Sequence, residues 1–442
     1  MALNRRLARA AAAAAAFLLL PRPAPAQGEV LHLAVGDPER RDRQVPLALD
    51  AVTDTRTGEL LAPAEVAGRL AGARLVLVGE SHTSIEFHRA QLRLIEELVR
   101  AGREVLVGLE MYPYTEQEHL DRWRREPMTE EQFVDRSRWY DAWGYHWDYY
   151  RPIFLFARDH GLPMVAVNTP REVVSAVRKQ GFEGLSAEDR AHVPETIDLE
   201  SEDHRTLFRA FFADDGDGLH GGMPEEQLEA MFAAQVTWDA TMAHNALRAL
   251  AERGGSGSDG ASSGSAPDLE ATPASAPDPV LVVLVGSGHV AYGLGIERQA
   301  AAQGFAGRIA SVIPIPVEDE DGRPVTSVRA SYADFVWGLP PEHDPLYPTL
   351  GLSATAVADD DPRRKVIFVP EDSLAAAAGF QVGDVLVAMD GEPLPDRETF
   401  NRAMAARRWG DRAAFTVERG GETVELTAWL RREPPAASPE GE

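Results

Sequence analysis

Five short apolar runs, spread over residues 75–313, constrain the fold of this chain more than any other feature. Residues 75–78, 105–109, 164–167, 281–285 and 309–313 are rich in Val, Leu and Ile and lack polar alternation. A strand with one wet face alternates, whereas an unbroken apolar run fits a strand covered on both faces, as in a parallel sheet. Amphipathic periods separate the runs, at residues 85–99, 152–160, 171–177, 224–250 and 292–302. This alternation predicts an α/β fold, a largely parallel sheet with helices on both faces.

In such sheets chemistry collects beyond the carboxyl ends of the strands. The first run is followed by Gly79-Glu80-Ser81-His82, the second by Glu110, the third by Asn168 and the fourth by Gly286-Ser287-Gly288-His289. Two strands thus end in the same Gly-x-x-His spelling. Glu80, His82, Glu110 and His289 are the candidate site, suited either to a divalent transition metal or to proton transfer. Read as an enzyme, these four are the catalytic residues of a metal-dependent hydrolase, in which a carboxylate takes a proton from metal-bound water. His88 is a further candidate. Gln235, Asp239 and Met242 share a face of the long helical period, a polar stripe that points either to the site or to water. His119, His160, His192, His204 and His220 sit among charges and read as surface. Residues 139–150 hold seven of the chain's 17 Trp and Tyr residues. They read either as core packing or as a platform for a flat aromatic ligand. Tyr112, Tyr140 and Tyr145 are candidate contacts to such a cofactor.

Composition removes several alternatives. The absence of cysteine excludes disulfides, thiolate metal sites and a thiol nucleophile. A formal net charge of −26 disfavours nucleic acid as a partner. Ser81 and Ser287 lie near histidines, but neither sits in a Gly-x-Ser-x-Gly elbow, and no P-loop appears. Residues 1–26 have the layout of a secretory signal: Arg5, Arg6 and Arg9, an apolar run, then Ala24-Pro25-Ala26. The chain is therefore expected to be exported, most simply to the periplasm, without a lipid-bearing cysteine or a transmembrane span. Residues 254–279 are dominated by Gly, Ser, Ala, Pro and Asp, a flexible insertion within the first domain. A boundary falls at Pro340-Pro341, giving domains over 27–340 and 341–432 and a disordered tail over 433–442.

The stretches LVLVGESHTSIEFHRAQLRLIEEL, VGLEMY, PMVAVNTPREVV, AAQVTWDATMAHN and VVLVGSGHVAYGLG resemble the ChaN-like haem-binding uptake group of the Tiki superfamily. The resemblance implies a functional cluster at Glu80, His82, Glu110 and His289, with Asn168, Arg171, Gln235 and Asp239 as further members. It implies haem or iron as ligand; the Tiki branch proper implies a metal-dependent peptidase instead. Binding ranks ahead of catalysis because the likeness is to the ChaN branch. The chain departs from ChaN lipoproteins in lacking the lipid-attachment cysteine. The second unit, with AAAAGFQVGDVLVAMDGEPL, resembles a PDZ domain, a small β-sandwich or barrel. That likeness implies an extended or C-terminal peptide as partner, held by Leu350, Gly351, Leu352, Phe400 and Met404. A homodimer is the remaining partner expectation.

Overall fold

The apolar runs are five adjacent strands of an eight-stranded sheet. The computed structural model describes residues 30–213, 224–255 and 279–432, apart from 320, 343 and 359. The leader, nearly all of the Gly/Ser-rich insertion, His220 and the C-terminal tail lie outside those residues. In chain order the first ten strands are β1 (Gln44–Pro46), β2 (Val52–Asp54), β3 (Glu59–Leu61), β4 (Ala73–Glu80), β5 (Val105–Pro113), β6 (Met164–Asn168), β7 (Val280–Gly286), β8 (Arg308–Pro316), β9 (Ser327–Arg329) and β10 (Phe335–Leu339). The large sheet runs β3-β2-β10-β8-β4-β7-β5-β6. From β10 to β6 every pairing is parallel, and β2 and β3 add an antiparallel edge. All seven residues of β7 are buried, as the missing alternation requires.

Four expected helices form, with shifted ends: Ile85–Arg100, Trp147–Asp159, Arg171–Gln180 and Glu225–Gly255. The fifth is broken. Tyr292 takes φ 62°, so a 3-10 turn over Ala291–Gly293 precedes a shorter helix, Ile296–Ala302. The left-handed backbone is costly for an aromatic residue, and burial of the Tyr292 ring holds it: its hydroxyl donates to the Val30 carbonyl at 2.6 Å. Strands β2, β3 and β10 escaped the sequence pattern. Three residues carry no period, and β10 merges in sequence with the proline-rich stretch that follows.

The chain divides into two compact units. One comprises the described residues of Ala24–Phe133 and Asp148–His343; the other joins Val134–Trp147 to the described residues of Asp344–Glu442. The expected contiguous first domain is thus interrupted: residues 134–147, with five of the seven Trp and Tyr residues, group with the C-terminal unit, and Tyr149 and Tyr150 stay with the first. That unit holds strands β11 (Ser353–Ala358), β12 (Asp361–Phe368), β13 (Val385–Met389), β14 (Glu392–Pro393), β15 (Arg412–Arg419) and β16 (Glu422–Trp429). They form one antiparallel sheet in the order β11-β12-β13-β15-β16, with β14 beside β13. Helices Leu374–Ala378 and Arg397–Ala405 complete it around Val366, Leu386, Phe415 and Val417.

Candidate functional site

Parallel register brings the strand ends together. Glu80 pairs with Gly286 across β4 and β7, and Leu109 pairs with Leu284 across β5 and β7. Glu80, Glu110 and Gly286 therefore reach one level of the sheet, and the turns beyond β4 and β7 place His82 and His289 above it. Gly286 is the floor between the two rings. A Cβ there would lie 3.3 Å from His82 Cε1 and 3.7 Å from His289 Cδ2. The Gly286 amide donates to Glu110 Oε2 at 2.8 Å.

Two hydrogen-bonded clusters meet at this floor. In the first, the side chain of Glu80 is wholly buried and its oxygens are engaged. His82 Nδ1 stands 2.8 Å from Oε1, the Tyr150 hydroxyl donates to Oε1 at 2.7 Å, and the Gln91 amide donates to Oε2 at 2.7 Å. Burial opposes ionisation of Glu80, but His88, His82 and Tyr150 outweigh it and hold the carboxyl at about 2. For His82 burial likewise opposes the charge, and the Glu80 carboxylate outweighs it and raises the imidazole. His88 lies behind the site, its Nδ1 3.0 Å from Gln91 Oε1 and its Nε2 3.3 Å from the His82 carbonyl. It positions its neighbours.

In the second cluster, His289 Nδ1 stands 2.6 Å from Asp239 Oδ1, with the Gln235 amide 2.9 Å from the same nitrogen. His289 Nε2 faces Glu110 Oε1 at 3.5 Å. Burial disfavours the imidazolium, yet Asp239 and Glu110 outweigh it and push His289 up to about 10. Burial disfavours the charged Glu110 too, and His289 outweighs it and lowers the carboxyl. His204 continues the chain: Arg298 donates to its Nδ1 at 3.3 Å, which leaves the ring proton on Nε2, 3.7 Å from Asp239 Oδ2. Burial lowers His204 to about 4, so this ring is neutral. The sequence put His204 on the surface; it is 1% exposed, because the helix Glu202–Ala213 turns it away from its charged neighbours.

The other candidates divide. Asn168 donates to the Glu110 carbonyl at 2.8 Å and so fixes the end of β5. Arg171 is half-buried at the first position of its helix. Tyr112 is buried in β5, its ring 6.4 Å from that of Phe133. Tyr140 and Tyr145 belong to the other unit, where their carbonyls accept from Asn401 and Trp139. Tyr150, Gln91 and His204 were missed as members of the site. The His88/Gln91 spacing of three on an amphipathic helix was the one available signal. Among the described residues no group of three or more His, Asp or Glu side chains is arranged to hold a metal ion. Glu80, His82, Glu110 and His289 converge, but as hydrogen-bonded pairs turned toward one another. Beside them lie two partly buried rings. Trp238 stands 6.2 Å from His289 with its indole nitrogen buried and without a partner among the described residues, and Phe211 would meet a Cβ on Gly288 at 3.8 Å.

In the C-terminal unit Gly351 takes φ 74° between the buried Leu350 and Leu352, and Phe400 and Met404 pack on the same core. The Leu350 carbonyl accepts from Ala375 at 2.8 Å.

A parallel α/β sheet with a His/Glu rim, joined to a peptide-binding type of β-domain, defines a two-module protein. Residues 66–299, more than half of the chain, match the haem-binding uptake family of the Tiki superfamily, ChaN, and the chain belongs to it. Residues 348–430 match the PDZ domain. A chloroplastic protein of Arabidopsis thaliana, RETICULATA-RELATED 5, is 24% identical over 61% of this chain, and the chain spans about a third (34%) of that relative's length. The solved structure of ChaN from Campylobacter jejuni, described as binding haem cofacially, shares 17% identity at a TM-score of 0.48, covering 66% of this chain and 98% of that one. The HtrA-type protease AlgW with a decapeptide shares 26% identity at a TM-score of 0.19, over 20% of this chain and 30% of that one. The matched family is haem-binding, which does not favour the hydrolase alternative. No described helix is long and apolar enough to cross a membrane.

Proposed function

We propose that the α/β unit binds haem against the rim formed by Glu80, His82, Glu110 and His289, and that the PDZ unit recruits a peptide-bearing partner. Family membership supports the ligand class. The observation that carries the site is the convergence of His82 and His289 over Gly286, beside the buried indole nitrogen of Trp238. Haem would supply an iron centre and a flat apolar face. His82, whose side chain is 26% exposed against 10% for His289, is the imidazole that would hold the iron. Glu80 fixes its ring through Nδ1 and raises its basicity, as a carboxylate behind a ligating histidine does. Trp238 and Phe211 offer the porphyrin apolar contact. The leader-like sequence over residues 1–26 supports export to the periplasm, and family membership supports a part in haem-iron uptake. Titration of the purified chain with hemin tests the site: a saturable Soret shift at micromolar hemin is expected, lost in His82→Ala. No saturable change in the wild type would remove the reading.

A further inference from the structure

The helix Arg397–Ala405 offers two adjacent rows. Phe400, Ala403 and Met404 pack on the core of their unit. Arg397, Asn401 and Ala405, spaced four apart, form the next row. That second row is taken by the chain itself. Arg397 donates to the carbonyls of Asp141 at 2.5 Å and Trp143 at 3.1 Å, and Asn401 donates to the carbonyl of Tyr140 at 2.8 Å. His146 Nε2 donates to the Ala405 carbonyl at 3.0 Å, and its ring stacks on Tyr347 with centroids 3.4 Å apart and planes 6° apart. Ion pairs flank the contact, Arg138 with Glu398 at 2.9 Å and Arg402 with Asp135 at 2.6 Å.

The backbone of the segment is shaped for this contact. It enters through Arg138 at φ 49° and turns at Gly144 at φ 92°. A Cβ on Gly144 would lie 2.7 Å from an Arg397 nitrogen and 2.9 Å from the Asn401 nitrogen, so a side chain there would push both donors aside, and the left-handed backbone itself favours glycine. Arg397 and Asn401 thus hold carbonyls at the end of the short helix Trp139–Ala142, taking up side-chain donors on this helix wall that an incoming peptide would meet. Nearby in the chain, β11 pairs with β12 alone among the described strands, so one of its edges is open to an added strand.

We propose that the PDZ unit is capped by its own chain: residues 138–146 occupy the helix wall that a peptide ligand uses, and an external peptide binds only by displacing them. The proposal rests on the peptide-binding reading of this unit. It also gives the Trp/Tyr cluster a role, as the pseudo-ligand of the C-terminal unit.

The test uses the full chain and a panel of fluorescein-labelled heptapeptides with free apolar C-termini, read by anisotropy. Gly144→Val drives a side chain into Arg397 and Asn401. His146→Ala removes the stack on Tyr347 and the bond to Ala405, and leaves Arg397, Asn401 and the groove untouched. Both variants are expected to bind the panel roughly tenfold more tightly than the wild type, the effect of removing about one hydrogen bond from a competing intramolecular state. Saturating peptide should also red-shift tryptophan emission in the wild type, since Trp139 and Trp143 are buried while the segment is docked. Equal affinity of wild type and both variants overturns capping and leaves the peptide-binding reading standing. Absence of binding in all three removes that reading, and capping with it.

Discussion

The Asp239–His289 pair yields a sharp expectation. Asp239→Asn keeps the shape of the side chain and removes the charge that holds a buried imidazolium. His289 is pushed from 6.5 to about 10, against burial, by Asp239 first and Glu110 second. At about 1.4 kcal/mol per pH unit, the whole shift has a ceiling of about 5 kcal/mol. Part of it belongs to Glu110, 3.5 Å from the other ring nitrogen. Breaking one partner of a buried pair typically costs about 3–5 kcal/mol, so we expect Asp239→Asn to destabilise the protein by about 3 kcal/mol near neutral pH. The sign of the pH dependence follows from the raised value. A histidine held more basic in the folded state contributes its stability fully below pH 6.5 and loses it as pH rises through about 10. Urea melts of both proteins from about pH 6 to about pH 10.5 should therefore show a gap that is widest at the acid end and closes toward the alkaline end. Imidazole NMR should show His289 titrating at lower pH in the variant. A gap that stays constant across the series, or an unchanged His289 titration, would refute the reasoning.

Other expectations concern single positions. Glu297 is pushed up to about 7 by burial first and then by Asp334. Its folded-state proton is bound more tightly than in the unfolded chain, so stability falls as pH rises from 4.5 through about 7. Discounted for partial exposure, Glu297→Gln should stabilise the protein by about 2 kcal/mol at pH 8 and not at pH 4, in thermal melts. Gly338→Ala places a Cβ 2.0 Å from the Ala48 carbonyl, a backbone atom that cannot step aside. It should lose roughly 2–4 kcal/mol in urea melts. Gly286→Ala meets only the two imidazoles, at 3.3 Å and beyond. It should lower hemin affinity by roughly tenfold while changing stability by less than about 1 kcal/mol; unchanged affinity would mean that hemin does not use this floor.

Much of the sheet was legible in the chain because its strands are buried on both faces, and that burial writes itself as unbroken Val/Leu/Ile runs. The same logic located Glu80, His82, Glu110 and His289: a residue just after a buried parallel strand must emerge at one rim. The partners of those residues were not legible. Tyr150, Gln91 and His204 reach the site from helix faces, and which face of a helix turns inward depends on what packs there. His204 shows the difficulty, since a sequence neighbourhood of charges hid a fully buried ring.

Alone, the sequence determined the α/β alternation, the Gly-x-x-His turns, the cysteine-free chemistry and the presence of a second module. Tertiary structure decided that the carboxylates and imidazoles close into paired hydrogen bonds, and that the Trp/Tyr segment joins the C-terminal unit. The division has a physical cause. Strand burial and turn chemistry are local and leave a periodic signature, whereas register across β4, β7 and β5, and the docking of residues 134–147 on a helix more than 250 positions away, are contacts between distant parts of the chain that no local pattern records.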